Sequence, residues 1–320
     1  MMGELMRSHD WSTSPLGEPE YWPDALKVAV GTCISSRFPM VVWWGPDLVM
    51  LYNDAWQPIL GDTKHPKGLG RPGAESWPET WSIVGEQFEK ALNGEGSWHE
   101  DLLLASDRHG FIQESYFTYS HSPLRDASGK IAGVHSVVSE TTSHVLNARR
   151  IEVLRGLSNF TIQATAEANP LERASEVLVE LLCRNNPDVP FAVLYLTDAK
   201  ERLYCAASAG VDSAIFSQTL EADDRDTWGI REVIRGRGPL VTSLPEPLHG
   251  GVWPEAITEV VTLALQGRGS DSAPLGAIVF GINARLMLDE HYLNFFKLVA
   301  GQLGASLSAL QSIEREQRDA

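Results

Sequence analysis

The chain has 320 residues, 43% of them hydrophobic and 21% charged, which is an ordinary globular composition and enough for two domains with their own cores. No apolar run approaches the roughly 18–20 residues of a membrane span, and the N-terminus lacks the apolar stretch of a secretory signal, so we expect a soluble cytoplasmic chain. The net charge of −16 at pH 7 argues against nucleic acid or an anionic membrane as the main partner.

Cysteine usage excludes two further classes of protein. Cys33, Cys183 and Cys205 are far apart in the sequence. An odd number without paired spacing argues against a disulfide framework and against a cysteine-type zinc site. We expect all three to be small buried hydrophobic side chains, as free cysteines usually are.

The N-terminal stretch combines turn formers with aromatic anchors. Asp10–Gly17 reads DWSTSPLG and Glu18–Pro23 reads EPEYWP, which is turn chemistry. Asp24–Ser36 then predicts a helix, because its apolar residues recur at helical spacing. Residues 1–37 are therefore interpreted as a leader and a helix.

Two short runs predict a β-hairpin after this helix. Met40–Trp44 and Leu48–Tyr52 are rich in Val, Leu, Trp and Tyr, which favour half-buried strands. The Gly-Pro-Asp between them indicates a turn.

A capped helix is predicted directly after the hairpin. Either Asn53 or Asp54 can accept hydrogen bonds from the first free helical N–H groups, so they indicate an N-cap. The helix is predicted over Ala55–Leu60, and Gly61 is a natural residue to end it.

The block Asp10–Gly61 resembles the N-terminal region of a set of soluble bacterial sensor histidine kinases. In those proteins a DWS–PLG–WP leader and a helix precede an FPM–WWG–LYND hairpin, and all of these words occur here in the same order. The strand–turn–strand–helix unit also looks like the start of a PAS domain, a sensor fold with a ligand cavity. The resemblance implies the sensory region of a two-component histidine kinase.

The next segments are a polar loop and a predicted helix. Residues 61–73 are rich in Gly, Pro and charge, and His65 within them is interpreted as a solvated loop histidine, since no second ligand stands at metal spacing. Glu75–Asn93 is predicted to be one helix, with Pro78 in its first turn.

Three strands are predicted to complete this domain, separated by DRHG and RDASG turns. They are Trp98–Ala105, Phe111–Ser122 and Lys130–Ser139. Five antiparallel strands with helices inserted after the second match the PAS order, and we assign residues 38–142 to a PAS-like domain. The resemblance includes its end, where an acidic residue and Thr lead into an output helix.

A connecting helix is predicted over Thr142–Ala166, and residues 143–168 are assigned to it. The second domain, residues 169–310, is predicted to open with the helix Leu171–Arg184 and to end with the helix Asp289–Ile313, with residues 311–320 forming the end of that helix. The elements predicted between them are strands Phe191–Thr197, Leu203–Ala209, Leu240–Ser243, Glu259–Leu265 and Gly276–Ile282, and a short helix Asp226–Arg235. This α+β order, its LYL and LG–IVFG strands and its DEHYLNFFKLVAGQLGASLSAL helix resemble a GAF domain.

Sequence signatures of common enzymes and cofactor sites are missing. The chain has no GxxxxGK[ST] loop, no Gly-x-Ser-x-Gly elbow and no His-x-x-x-His pair, so we predict no catalytic residues and no metal site. Compared with the families it resembles, it lacks the reactive-cysteine helix of flavin PAS domains, the bilin motif and the NKFDE-type set of GAF domains. No cofactor is identified, and flavin, bilin and haem are disfavoured.

The catalytic parts of a histidine kinase are also missing from the sequence. His144 and His291 are not followed by the pattern of a phospho-acceptor helix, and the ATP-binding boxes are absent. The chain is therefore interpreted as an N-terminal piece or a stand-alone sensor. The kinase core would act in cis or in trans, and the signal is an unknown small molecule or a redox-type input.

Candidate cavity residues in the PAS-like domain are chosen from the predicted inner faces of its elements. They are Leu51, Asn53, Trp81, Phe88, Leu103, Phe117 and Val134. For each one alone, plain core packing is an equal or better explanation, and helix capping explains Asn53 equally well.

A homodimer is predicted through the two long helices. The residues expected in its seams are Leu146, Val153, Leu157, Phe160, Leu303, Leu307 and Leu310. Leu307, Leu310 and Ile313 are expected to stay exposed in a monomer, because a helix at the end of the chain has little left to cover it. The alternative is that this helix folds back on its own sheet. At the level of function, the alternatives are a ligand-free dimerisation scaffold and an enzyme with an unrecognised site.

Overall fold

The computed structural model describes residues 1–163, 170–198, 200–221, 226–267 and 273–319 of the chain. The chain forms two compact units, Met1–Leu146 and Asn147–Ala320. Each unit mixes helices with an antiparallel sheet, in agreement with the predicted α+β class. Within the described ranges, no helix is long and apolar enough to span a membrane.

The first unit contains a five-stranded antiparallel sheet with the order β2-β1-β7-β6-β3. Helices α3, α4 and α5 are inserted after its second strand, and β4 and β5 pair separately as a short ribbon. The elements in chain order are α1 (Met2–Ser8), α2 (Asp24–Ser35), β1 (Met40–Trp44), β2 (Val49–Tyr52), α3 (Gln57–Lys64), α4 (Gly73–Ser76), α5 (Trp81–Leu92), β3 (Ser97–Leu103), β4 (Ser106–Asp107), β5 (Ile112–Gln113), β6 (Tyr116–Arg125) and β7 (Ile131–Glu140).

The leader belongs to the core of the first unit. Trp11 and Trp22 are buried and pack edge to face, with ring centroids 4.8 Å apart. The indole N–H of Trp11 donates to the carbonyl of Met6 at 2.9 Å, and that of Trp22 donates to Gly17 at 2.9 Å. The two indoles thus satisfy their polar edges locally while their faces fill the core.

The interpretation of Asn53 as a helix cap is wrong. Its side chain makes no capping hydrogen bond, although the residue does stand at the N-cap position. Its Oδ1 accepts from the backbone N–H of Met40 at 3.1 Å, and its Nδ2 donates to the carbonyls of Ser36 and Phe38 at 3.1 and 2.7 Å. The Asn53 side chain thus bonds the backbone of the segment that leads into β1, and it does not accept from the N–H groups of the helix.

The short helix after the hairpin also differs from the prediction of Ala55–Leu60. A 3-10 turn covers Asp54–Trp56, and α3 then continues to Lys64 through a kink at Gly61. Gly61 has a φ of +64°, and a Cβ there would lie 2.4 Å from the carbonyl oxygen of Arg108. Glycine is therefore required for a close backbone approach and a positive φ, and its non-helical backbone ends the first helical segment after Leu60, as predicted.

Two other predicted boundaries are wrong. The helix predicted over Glu75–Asn93 is divided into α4 and α5, because Trp77–Thr80 is non-helical and Pro78 lies in a turn. The strand predicted over Phe111–Ser122 is likewise interrupted by two buried residues, Glu114 and Ser115, so it forms β5 and the start of β6.

The second unit contains a six-stranded antiparallel sheet with the order β10-β9-β8-β13-β12-β11. The boundary between the units falls within α6, whose first residues belong to the first unit. The elements are α6 (Thr142–Gln163), α7 (Pro170–Cys183), β8 (Ala192–Thr197), β9 (Leu203–Ala209), β10 (Thr219–Leu220), α8 (Ile230–Ile234), β11 (Leu240–Leu248), β12 (Ile257–Leu265), β13 (Gly276–Gly281) and α9 (Glu290–Asp319). The predicted end of the connecting helix, 164–166, lies outside the described residues.

Both faces of this second sheet are covered. Alternate residues of β8 belong to different core clusters: Leu194 and Leu196 pack with residues of α7 and α9, and Val193 and Tyr195 pack with Trp228 and its neighbours. This explains why the central strands β8 and β13 are almost continuously buried and apolar. The helix predicted over Asp226–Arg235 is shorter, because both Asp226 carboxylate oxygens cap α8 by accepting from its first N–H groups at 2.9 and 2.8 Å.

The expectation that the stripe of the last helix is exposed in a single chain is wrong. Leu303, Leu307 and Leu310 of α9 are at most 1% exposed and belong to the core of the second unit. Ile313 lies among residues whose side chains are not described. α9 packs against α7 and β12, so the fold-back alternative accounts for its stripe.

The seam proposed on α6 is similarly occupied. Leu157 is 1% exposed in the same core, Val153 packs partly against it, and Leu146 is also buried. The side chain of Phe160 lies outside the described residues. Burial of these residues within one chain removes the argument that they require a partner chain.

Candidate ligand-binding site

The first unit encloses an aromatic cavity between its sheet and its inserted helices. It has about 540 Å³ of empty space including its opening, of which about 60 Å³ is open to the centre of a water molecule. Its walls are formed by Trp43, Trp56, Ile59, Trp77, Thr80, Trp81, Val84, Phe88, Leu104, Ser106, Phe117, Tyr119, His121, Ser136 and Val138. None of these lining residues is an acid, a lysine or an arginine.

Strand pairing brings one wall together. Residues that pair across antiparallel strands share a face of the sheet. Ser136 of β7 pairs with His121 of β6, and Val138 pairs with Tyr119. Phe117 lies two residues before Tyr119 and therefore on the same side. The alternation of β6 thus directs an aromatic series into the cavity.

The inserted helices and their loops provide the opposite wall. Trp56 ends the 3-10 turn, Trp77 lies between α4 and α5, and Trp81 begins α5. Trp81 stacks on Phe88 with ring centroids 5.4 Å apart and an angle of 23° between the planes. Phe88 in turn lies 4.5 Å from the ring of His121. Flat ring faces thus form much of the surface.

Four polar atoms of the lining residues are buried without a hydrogen-bond partner among the residues that the structure describes. They are Trp56 Nε1, Trp77 Nε1, Ser106 Oγ and His121 Nε2. Each of the four residues is more than nine-tenths buried. Buried polar groups are nearly always paired in folded proteins, so this cluster indicates a bound molecule or ordered water.

The state of His121 follows from its neighbours. The indole Nε1 of Trp43 donates to Ser136 Oγ at 2.8 Å, and the same oxygen lies 2.6 Å from His121 Nδ1. When the Ser136 hydroxyl donates to Nδ1, both the hydroxyl proton and Nδ1 are paired, and the imidazole proton is on Nε2. Burial lowers the pKa of His121 to about 4, with a smaller contribution from His99, so the ring is neutral at pH 7. Three N–H donors and one hydroxyl thus lie buried on residues that line the cavity, whose accessible surface is apolar.

Two cations lie on aromatic walls of the cavity, and both are already paired. Lys64 lies over the Trp77 ring, 4.2 Å from its centroid, and forms a salt bridge with Glu79. Arg108 lies over Phe117 at 5.2 Å, and its Nη1 donates to both carboxylate oxygens of Glu140 at 3.1 and 3.0 Å.

Of the residues proposed from the sequence, three line the cavity. They are Trp81, Phe88 and Phe117. Leu51 pairs with Val42, the neighbour of Trp43, and so lies on the other face of the sheet. Val134 pairs with Trp43 on the cavity face but is not in its wall, and Asn53 is buried among backbone groups instead.

Leu103 is displaced from the cavity by an irregularity in β3. His99 pairs with Tyr119, but the register shifts before Leu102 pairs with Phe117. Asp101, within this shift, has a φ of +47°. One extra residue reverses the alternation, so Leu104 lines the cavity and Leu103 does not.

The sequence interpretation missed the polar residues of the site. The sequence interpretation places His121 in a strand, Ser106 between two predicted strands, and Trp56 and Trp77 in predicted helices, and it assigns none of them to the ligand site. A usable signal existed for His121, since it continues the alternation of Phe117 and Tyr119. No local pattern indicates Trp56, Trp77 or Ser106, which come from turns and a two-residue strand.

Other polar candidates do not form sites. Among the residues that the structure describes, no group of three or more His, Cys, Asp and Glu could hold a metal ion. His65 is half-buried and less solvated than expected, because its Nδ1 lies 2.9 Å from the hydroxyl of Tyr52, and burial lowers the pKa of His65. Cys33 is buried as expected, and Cys183 and Cys205 are half-buried.

The second unit has a cleft beside Phe191, Asp212, His249 and Ile257, with about 670 Å³ of empty space including its opening, of which about 350 Å³ is open to the centre of a water molecule. Its described lining residues include none of the unpartnered buried polar atoms. The cavity of the first unit is therefore the stronger candidate for a ligand site.

No protein-family model and no curated protein matches the chain. Solved structures to which it is similar include the GAF domain of a phosphoenolpyruvate-protein phosphotransferase from Acinetobacter, at a TM-score of 0.36 and 13% identity over 51% of this chain and 95% of that one. The corresponding domain from Coxiella burnetii has a TM-score of 0.37 and 18% sequence identity, and the match covers 52% of this chain and 98% of that one. A phycoerythrobilin-bound GAF domain from a cyanobacterial phytochrome has a TM-score of 0.34 and 14% sequence identity, and the match covers 50% of this chain and 94% of that one. We base no assignment on these similarities.

Proposed function

We propose that the chain is the sensory part of a signalling protein and that its first unit binds a small molecule in the aromatic cavity. The observation that carries the proposal is the aromatic cavity with uncharged walls, four of whose lining residues also carry a buried polar atom without a partner in the described structure. The order of the five-stranded sheet, with its helices after the second strand, supports a PAS-like first unit. The helix and strand order of the second unit supports a GAF-like domain.

A chain of contacts supports relay from the cavity to α6. Phe117 lines the cavity and carries the Arg108 guanidinium on its ring. Arg108 donates to Glu140, and the hydroxyl of Thr142 donates to the same carboxylate at 2.9 Å. Thr142 is the first residue of α6. A ligand that moves Phe117 would thereby change the packing at the start of this helix.

The output proposed for this relay is a histidine-kinase core, in cis or in trans. This part rests on the resemblance of Asp10–Gly61 to sensor kinases. Sequencing the gene beyond codon 320 tests it: a phospho-acceptor helix and ATP-binding boxes in the same reading frame support the proposal, and a different output domain contradicts it.

The test of ligand binding is a cavity-filling substitution. Val84 lines the cavity, so Val84→Phe should abolish the rise in melting temperature that small aromatic compounds cause in the wild type. Val28→Phe, at a position 69% exposed on α2, is the matched control and should keep the response. Absence of any response in the wild type favours a ligand-free scaffold, and turnover of a generic ester, phosphoester or glycoside substrate favours an enzyme.

A further inference from the structure

We infer that the cavity of the first unit selects an uncharged, hydrocarbon-like molecule and discriminates against polar analogues of the same size. The inference rests on the proposed function of this cavity as a ligand site. It adds the chemical class of the ligand, which follows from the surface that the walls offer and from the pairing of the polar and charged groups around them.

The surface that a molecule in the cavity would meet is almost wholly apolar. The walls combine aliphatic side chains, such as Val84 and Val138, with aromatic rings, such as those of Trp81 and Phe88. Polar atoms of the lining residues contribute almost nothing to this surface. An occupant therefore gains from the burial of apolar area and from dispersion contacts, and it meets almost no atom with which it can form a hydrogen bond.

The polar groups of the walls whose partners are described bond to other protein groups. The hydroxyl of Tyr119 donates to Gln87 Oε1 at 2.7 Å, and the indole N–H of Trp43 donates to Ser136 Oγ at 2.8 Å. The four polar atoms without a described partner are buried. A hydroxyl or carbonyl group on a ligand would thus lose its hydration in the cavity without an accessible partner to replace it, which weakens binding.

The charges around the cavity exclude an ionic ligand in the same way. The lining residues include no acid, lysine or arginine. Lys64 and Arg108, which lie over the rings of Trp77 and Phe117, are already paired with acidic side chains. A carboxylate or ammonium group brought into the cavity would lose its hydration without gaining an opposite charge.

The cavity is also a poor site for water. About 60 Å³ of it is open to the centre of a water molecule, which is several times the roughly 10–15 Å³ that one water requires. A buried water needs two to four polar partners, however, and apolar cavities accordingly stay dry or bind apolar molecules. A small hydrocarbon can fill this space without needing any polar partner.

The first test compares four single-ring compounds of similar size on the full chain at pH 7 by titration calorimetry. They are toluene, phenol, benzylamine and benzoate. Toluene and phenol differ by a methyl group and a hydroxyl group, and an apolar pocket discriminates such pairs by up to about a hundredfold. Toluene should therefore bind about ten- to a hundredfold more tightly than phenol, and the two ions should bind more weakly than phenol.

The outcomes of this comparison separate the ligand class from the ligand site. If phenol binds as tightly as toluene, or an ion binds best, the inferred class is overturned while the site remains. If none of the four compounds binds, both the class and the proposed function fail. Val84→Phe should abolish toluene binding and Val28→Phe should keep it, and toluene binding that survives Val84→Phe would contradict both proposals.

The second test adds a hydroxyl group to the wall. Val138→Thr replaces a methyl group by a hydroxyl with little change in volume, so the preference for toluene over phenol should fall at least about threefold. Val137→Thr is the matched control, because Val137 pairs with Ser120 on the opposite face of the same sheet, and it should keep the preference. Val84→Thr is a second wall variant in case Val138→Thr does not fold. An unchanged preference in a folded wall variant would overturn the inference that the apolar wall selects the ligand.

Discussion

At the scale of single residues, Asn53 is a bridge between two parts of the first unit. Its side chain is fully buried and fixes the backbone of Ser36, Phe38 and Met40 beside the end of β2. One amide thereby satisfies one backbone donor and two backbone acceptors where α2 passes into the hairpin. This arrangement requires an acceptor and a donor on the same side chain.

Substitution of Asn53 should distinguish bridging from helix capping. Asn53→Ala should lower the free energy of unfolding by about 2–4 kcal/mol, because three hydrogen bonds are lost and buried backbone groups are left unpaired. Asn53→Asp should be at least as destabilising at pH 7, because its second oxygen faces the carbonyls of Ser36 and Phe38. A capping residue would accept Asp at almost no cost. Urea unfolding measures both variants, and a near-neutral Asn53→Asp would contradict the bridging role.

The buried imidazole of His121 should make stability depend on pH. Its folded pKa of about 4 lies below the ordinary value of 6.5, so the unfolded chain binds more protons between these values. Stability is then fully present above pH 6.5 and falls as the pH drops towards 4, by about 3 kcal/mol for this group. Burial also lowers the pKa of His99 and His135, so part of the slope has other sources.

His121→Gln should flatten the pH dependence of unfolding between pH 4 and 6.5. His144→Gln, at an exposed histidine, is the matched control and should leave the slope unchanged. Denaturant unfolding at a series of pH values measures the difference. An unchanged slope in His121→Gln would show that the imidazole is not buried in its neutral form.

At the scale of elements, α6 is attached to the second unit by a buried ion cluster. Asp188 is fully buried and accepts from Arg149 Nη2 at 2.7 Å and from Arg150 Nε at 3.2 Å. Arg150 also lies over the ring of Tyr292 at 4.5 Å, and the Tyr292 hydroxyl donates to the carbonyl of Asp188. This cluster joins the helix to the loop before β8 and to α9.

Asp188→Asn should destabilise the second unit by about 3–5 kcal/mol, because it removes the buried carboxylate that the guanidinium groups of Arg149 and Arg150 share. It should also speed amide hydrogen exchange along α6. Glu180→Gln, which breaks an exposed pair with Arg184, is the matched control and should cost less than about 0.5 kcal/mol. Equal small effects of the two variants would mean that the cluster does not hold the helix.

The elements that the sequence predicted well are those with a strong local pattern. The bounds of β1 match the prediction, because its Val and Trp residues favour a strand and a turn follows at once. The predicted helix begins at Glu75, whereas α5 begins at Trp81. Pro78 is compatible both with the first turn of a helix and with a non-helical turn before one, so the sequence does not distinguish the two. Leu103 was chosen in place of Leu104, because alternation alone does not reveal a bulge at Asp101. In the last two cases, unlike β1, the local pattern allows more than one structure and cannot choose between them.

At the scale of the whole molecule, the two units offer different surfaces for function. The first holds a cavity with aromatic, uncharged walls, and the second holds a cleft whose walls include Asp212 and His249. The homodimer expected from the resemblance to sensor kinases stays a proposal. Its seam cannot be formed by Leu303, Leu307 and Leu310, which the core of the second unit already uses.

The double substitution Leu307→Glu and Leu310→Glu should therefore unfold the second unit and not yield a folded monomer. Both side chains are at most 1% exposed, and each loses about 1.5–3 kcal/mol of burial before the cost of two buried carboxylates is added. The sum is comparable with the whole stability of a typical domain, about 5–15 kcal/mol. Circular dichroism should show a loss of helix, and light scattering should show aggregation. Leu298→Glu, at a position 60% exposed on the same helix, should keep the fold and serves as the control. A double variant that remains helical and monomeric beside a dimeric wild type would restore the seam between two chains.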